Sequence, residues 1–257
     1  MCTNSPAAGV PAVQVDDIGT PAPAADPALI QELVRANRIL FRHGVVDGFG
    51  HISVRHDKDP ERFLLARNMA PGLVQAEDIV EFDLDSQPVN AKGRKVYLER
   101  FIHGEILRTR PDVQAVVHSH APAVVPFGVV ADAKLQPIWH MSFFLNATTP
   151  VFEIRDTAGP SSDMLIRSQA LGAALAQSLG QHSVVLMRGH GATVVGNGIR
   201  QAVFHAVYTQ MNAELQLRTS TLGQATYLSE GEVAAARTSV GSQIDRAWNL
   251  WASEVDA

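Results

Sequence analysis

Residues 115–120 read Ala-Val-Val-His-Ser-His, an apolar run of strand length that ends in two histidines. Side chains on a strand alternate sides, so His118 and His120 share one face, roughly 7 Å apart along the strand. Two imidazoles aimed at one point can share a divalent metal. A polar strand end with two solvated histidines would read the same way, so the pair takes its meaning from the rest of the chain.

A third histidine has a matching context. Residues 183–187 (Ser-Val-Val-Leu-Met) read as a buried strand, and Arg-Gly-His-Gly follows at 188–191. Glycines on both sides of His190 permit tight backbone geometry and leave room for a ligand. Residues 192–195 read as a second short strand, closed by the turn signal Gly196-Asn197-Gly198. A plain hairpin with an incidental histidine is the competing description. Upstream, Leu98 to Arg110 reads as a helix with Leu98, Phe101, Ile102 and Ile106 as its apolar stripe. Glu99 and His103 lie four apart and share another face. On spacing alone, Glu99 is an acidic residue in a first helical turn, favoured there by the macrodipole.

Organisation follows from the same patterns. Residues 1–25, rich in Ala and Pro without periodicity, are expected to be a disordered tail, and 26–257 a single domain. Asp26 is placed to cap a helix beginning at Pro27 and stopped by Gly44. Strands are expected near 51–55, 63–66, 79–83 and 115–120. Helices are expected after Ala121, over 168–179 and over 199–222, with a last one opened by Ser229 and Glu232 as a capping box. Interleaved strands and helices suggest a sheet covered on both faces. The tryptophans at 248 and 251 require burial, in the domain or against a neighbour.

Composition narrows the function classes. The formal net charge is −5 and the basic residues are scattered, which argues against nucleic acid. One cysteine, Cys2, excludes an internal disulfide and a cysteine-based zinc site. The absence of an eighteen-residue apolar run or a signal-like start points to a cytoplasmic protein without a membrane span.

Taken together, Glu99, Arg110-Pro111-Asp112, the strand ending in His118-Ser119-His120, and the later His190-Gly191 resemble the class II aldolase/adducin family over about residues 27 to 225. That resemblance implies an α/β fold: a three-layer α/β/α sandwich around a central mixed, largely antiparallel sheet. It also implies a homotetramer with sites near subunit interfaces. By the same resemblance His118, His120 and His190 bind one divalent metal per subunit, Mn²⁺ or Zn²⁺ first, with Co²⁺ or Fe²⁺ as other fits. Glu99 then works as acid and base.

Departures from the family pattern bear on the substrate. Aldolases of sugar phosphates carry hydroxyl-rich segments that cradle phosphate. Here those segments read Gly50-His51-Ile52-Ser53, Ala66-Arg67-Asn68-Met69-Ala70-Pro71 and Tyr97-Leu98. Most of the phosphate-gripping hydroxyls are missing. Arg67, with Asn68, offers a fork for a planar carboxylate, or is a surface loop cation. His51 joins them as an expected substrate-binding residue. In an approximate register, His140 falls where several family aldolases place a tyrosine acid. That makes it a second expected catalytic residue, or a packed neighbour of Trp139. Segments 46–55, 79–85, 99–104 and 187–191 resemble the branch of hydroxy-pyridine dicarboxylate and hydroxyphthalate decarboxylases.

The implied activity is a metal-dependent lyase that decarboxylates a hydroxylated aromatic or pyridine (di)carboxylate through a metal-stabilised enolate. Three neutral imidazoles would leave the metal's 2+ charge to attract an anionic small molecule. A metal-dependent aldolase acting on a non-phosphorylated hydroxy-keto acid is one alternative. A non-catalytic adducin-like scaffold is another.

Overall fold

The computed structural model describes residues 15–18, 23–145 and 147–256. Its centre is a seven-stranded sheet in the order β3-β2-β1-β4-β7-β6-β5. The strands are β1 (His51–Arg55), β2 (Arg62–Ala66), β3 (Ile79–Asp83), β4 (Ala115–Ser119), β5 (Val151–Phe152), β6 (Val184–Met187) and β7 (Gly191–Gly196). All neighbours pair antiparallel except β5 with β6. The mixed, largely antiparallel sheet expected from the sequence is therefore present.

β1, β4, β6 and β7 are buried along their whole length. Helices cover both faces, so β4, β6 and β7 carry apolar runs, whereas β1 (His-Ile-Ser-Val-Arg) buries its polar side chains as well. One helical layer is α1 (Pro27–Arg42), α6 (Ile199–Ser220) and α8 (Ile244–Val255), which pack on one another, with α1 and α6 against the central strands. The other is α2 (Arg100–Thr109) and α5 (Gln169–Leu179), packed together over β4, β5 and β6. Shorter helices α3 (Val125–Val129), α4 (Arg155–Ala158) and α7 (Glu230–Ser239) complete the chain. Across β2 and β3, Phe63 and Phe82 are directly paired and their rings stack with centroids 5.2 Å apart.

Local signals set most boundaries. The Asp26 carboxylate accepts the Ala28 N–H at 2.8 Å, Pro27 opens α1, and Gly44 leaves it with φ +66°. The Ser229–Glu232 capping box forms as expected. The last helix, however, is two. A 3₁₀ turn at Gly241–Gln243 separates α7 from α8, because Gly241 and Ser242 are weak helix formers and the Gln243 N–H returns to Val240. The two-residue β5 was not foreseen; so short an apolar segment carries no period of its own.

Much of the expected tail lies outside the described residues. Residues 15–18 are placed, with the Asp17 carboxylate accepting the Ala91 and Lys92 N–H groups and Ile18 donating to Pro88. That stretch is therefore anchored beside β3 rather than free. Trp248 and Trp251 are buried within the chain, Trp251 against His43, Phe204 and Tyr208. No helix among the described residues is long and apolar enough to cross a membrane.

Candidate metal centre and its cavity

Cross-strand register assembles the site. β1 and β4 pair so that His51 sits opposite His118. His120 follows the end of β4, and His190 occupies the tight turn between β6 and β7. Two glycines make that turn: Gly189 has φ +64°, and a Cβ at Gly191 would lie 2.0 Å from the Ser119 carbonyl oxygen. Glycine is required at 191 because the backbone of β4 passes against it.

Three ring nitrogens converge. His118 Nε2 lies 3.1 Å from His120 Nε2, which lies 2.9 Å from His190 Nε2. Glu99 Oε2 stands 3.5 Å from His118 Nε2 and 3.6 Å from His190 Nε2. The donor atoms of all four residues fall within 4.8 Å of one another. His118 Nδ1 donates to the Ala192 carbonyl at 3.2 Å, which leaves its Nε2 lone pair facing the cluster.

Burial lowers the pKa of His120 and His190 to about 4, with His118 adding to the effect, so both rings are neutral at neutral pH. Burial pushes the Glu99 carboxyl up, but His118, His190 and the Ile166 N–H outweigh it and bring the pKa down to about 2. Imidazole nitrogens facing one another across about 3 Å, with a carboxylate beside them, fit a divalent cation.

Glu99 itself sits one residue before α2. As N-cap it makes no side-chain capping bond; its Oε1 instead accepts the Ile166 N–H at 3.0 Å. The helix expected from 98 starts at 100, which frees Leu98 to line a cavity beside the cluster. That cavity holds about 520 Å³. Phe49, Met69, Tyr97, Leu98 and Leu165 give it apolar walls; His51, Asn68, Glu99 and His120 are its polar groups. Apolar walls with a few polar groups are the usual lining of a small-molecule site.

Two expected residues are placed elsewhere. The Arg67 guanidinium binds Asp78 at 2.6 Å and does not line the cavity; a local carboxylate satisfies it. His140 opens a 3₁₀ turn in a separate cavity with Tyr208, Leu250 and Trp251, so within one chain it does not meet the cluster. Sequence reasoning gave Ser53, His103 and Tyr97 no role of their own. Tyr97 donates its hydroxyl to the Met69 carbonyl at 2.5 Å, holding the loop that floors the cavity. The available signal was His51-x-Ser53, which has the one-face spacing of His118-x-His120.

A family model described as the class II aldolase and adducin N-terminal domain matches residues 31–217. The chain belongs to the class II aldolase and adducin family. It is 38% identical to "Decarboxylase tropJ" of Talaromyces stipitatus, over 91% of this chain and 96% of that one. It is 32% identical to a 3,4-dihydroxyphthalate decarboxylase of Arthrobacter keyseri, over 76% of this chain and 80% of the relative. Among solved structures, an aldolase II superfamily protein from Pseudomonas syringae superposes with a TM-score of 0.74 at 20% identity. The match covers 90% of this chain and 94% of that one, and carries the shared fold.

Proposed function

We propose that this member of the family is a metal-dependent decarboxylase of a hydroxylated aromatic or pyridine (di)carboxylate. The observation that carries the reading is an apolar, ring-sized cavity, poor in hydroxyl groups, opening beside the three histidines and Glu99. Two relatives named as decarboxylases support the choice over a phosphosugar aldolase.

In this reading His118, His120 and His190 hold a divalent ion, Mn²⁺ or Zn²⁺, which when bound supplies Lewis acidity toward the substrate's oxygens. Glu99, ionised at neutral pH, accepts the proton of the substrate hydroxyl at Oε2. Glu99 returns the proton to the ring carbon that bears the carboxylate, giving a keto form; as the carbon–carboxylate bond breaks and carbon dioxide leaves, its electron pair flows through the ring to the oxygen, and the restored phenolate takes a proton from water. Phe49, Met69, Leu98 and Leu165 give the ring apolar contacts, and Asn68 offers an amide to an anionic substituent. Arg67 acts through Asp78, holding the base of the loop that carries Asn68. We further infer a homotetramer, in which His140 serves only if it reaches a neighbouring copy's site.

The test is carbon dioxide release by manganese-loaded protein. Its panel holds ortho-hydroxy aromatic and pyridine dicarboxylates, with hydroxy-keto acids followed in parallel. Stoichiometric carbon dioxide with a protonated ring product is expected. Aldehyde or pyruvate without carbon dioxide would replace the reading with aldol cleavage.

A further inference from the structure

Five histidines crowd one end of the sheet: His51, His103, His118, His120 and His190. Three converge as a donor set, which leaves His103 without a role and the expected substrate contact of His51 without a means of orientation. They form a chain with Ser53. Ser53 Oγ is 2.6 Å from His103 Nδ1, and His103 Nε2 is 2.7 Å from His51 Nδ1. Ser53 and His103 are fully buried and His51 is 4% exposed. On its other sides the His51 ring lies against Tyr97 and His118, with centroids 4.5 and 5.2 Å away.

Hydrogen-bond bookkeeping gives the chain a direction. His103 Nε2 and His51 Nδ1, 2.7 Å apart, share one hydrogen, so one of them accepts and the two buried rings cannot both be cations. Among the described residues Ser53 Oγ has a single partner, His103. Were His103 to donate to it, the buried hydroxyl hydrogen would have no acceptor, at a cost of about 1–3 kcal/mol. Ser53 therefore donates to His103 Nδ1. His103 then carries its hydrogen on Nε2 and donates to His51 Nδ1. His51 in turn carries its hydrogen on Nε2, the nitrogen left to the cavity it lines.

We propose that Ser53 and His103 are positioning residues that lock His51 as its Nε2–H tautomer, giving the cavity a fixed, neutral hydrogen-bond donor for an anionic substrate oxygen. A nitrogen that carries hydrogen cannot ligate a metal, so the lock keeps His51 out of the adjoining donor set. A neutral donor also suits a place beside a dication, where a second cation would be repelled. The proposal rests on reading the cavity as the site of a hydroxylated carboxylate, and it adds the residues that orient that anion.

The test reads tautomers directly, by ¹H–¹⁵N correlation of the imidazole nitrogens in zinc-loaded protein. His51 and His103 are expected as Nε2–H forms. Ser53→Ala, which removes one oxygen, should release His103 from its single tautomer and turn His51 into a mixture. Ser53→Thr should restore both. Phthalate, a non-reactive probe, should shift the His51 Nε2–H signal in the wild-type protein whether or not the enzyme decarboxylates anything. On whichever panel acid is turned over, Ser53→Ala should raise KM about tenfold, with kcat within about twofold and unchanged metal content. An Nδ1–H form of His51 in the wild-type protein would overturn the lock. So would tautomers indifferent to Ser53→Ala. Correct tautomers with no response to phthalate would overturn the donor role. None of these depends on carbon dioxide release, so they fail separately from the decarboxylase reading.

Discussion

β1 ends in two different chemistries, though His51 and Arg55 are only about 13 Å apart along the strand. At the His51 end the cavity is about 520 Å³; at the Arg55 end a larger one of about 840 Å³ is lined by Arg55, Arg108, Arg200 and Asp245 among others. Size and charge alone would favour the larger cavity as a binding site. Most of its arginine charge, however, is spent on the protein itself. Arg200 binds Glu32 at 2.6 Å and Asp245 at 2.9 Å, and Arg108 pairs with Asp85. Arg55 places its guanidinium on the carbonyls of Pro60, Leu107 and Val113. At the His51 end, lone pairs and a carboxylate point at one another with nothing of their own to bind. Convergence of unspent donors, rather than volume, marks the place where chemistry can occur.

The sharpest way to break that contrast lies at the histidine end. His118→Ala should lose bound metal and activity together. Glu99→Gln should keep the metal while kcat falls by about 10²–10⁴. Metal analysis beside turnover separates the two, and a fully active Glu99→Gln would remove Glu99 from the reaction.

A middle-sized effect concerns buried histidines as structure. His205 donates to the Val195 carbonyl at 2.8 Å and stacks on Phe144. Burial lowers its pKa to about 4 against the opposing effect of that bond. Between about 6.5 and 4 the unfolded chain therefore binds the proton that the native chain refuses. Stability from this residue is complete above about pH 6.5 and is lost as pH falls toward 4, by roughly 3 kcal/mol. Thermal unfolding from pH 8 to 4 should show a flat limb and then a falling one, and His205→Gln should flatten the fall.

The smallest effect belongs to the larger cavity. Arg200 is 45% exposed, so Arg200→Ala should cost no more than about 1 kcal/mol in denaturant unfolding and leave kcat/KM unchanged. A large kinetic loss there would reinstate that cavity as a site.

Several features were legible in the chain before any folding was considered. The apolar runs at 115–117 and 184–187 specify buried strands because their side chains must leave water. Asp26-Pro27 and Ser229-x-x-Glu232 specify helix starts because their side chains answer backbone groups two or three residues away. His118-x-His120 specifies a shared face because the strand period is two. Each of these is a local interaction, with its partner within a few residues.

What the sequence could not contain is which distant groups meet. His51 faces His118 because β1 and β4 pair in one register, and a shift by one residue would turn the ring to the other face. The Ala192 carbonyl that orients His118, and the Ile166 N–H that holds Glu99, lie 74 and 67 residues away from the side chains they serve. Ser53 and His103, ordinary in their own segments, become a hydrogen-bonded pair only across the gap between β1 and α2. Arg67 and His140 went the other way. Both have a chemistry that suits the site, but Asp78 claims the first, and the second is exposed at a separate cavity it lines with Tyr208 and Trp251. Residue type fixes what a side chain is able to do; only the packed sheet and its register decide what stands within reach of it.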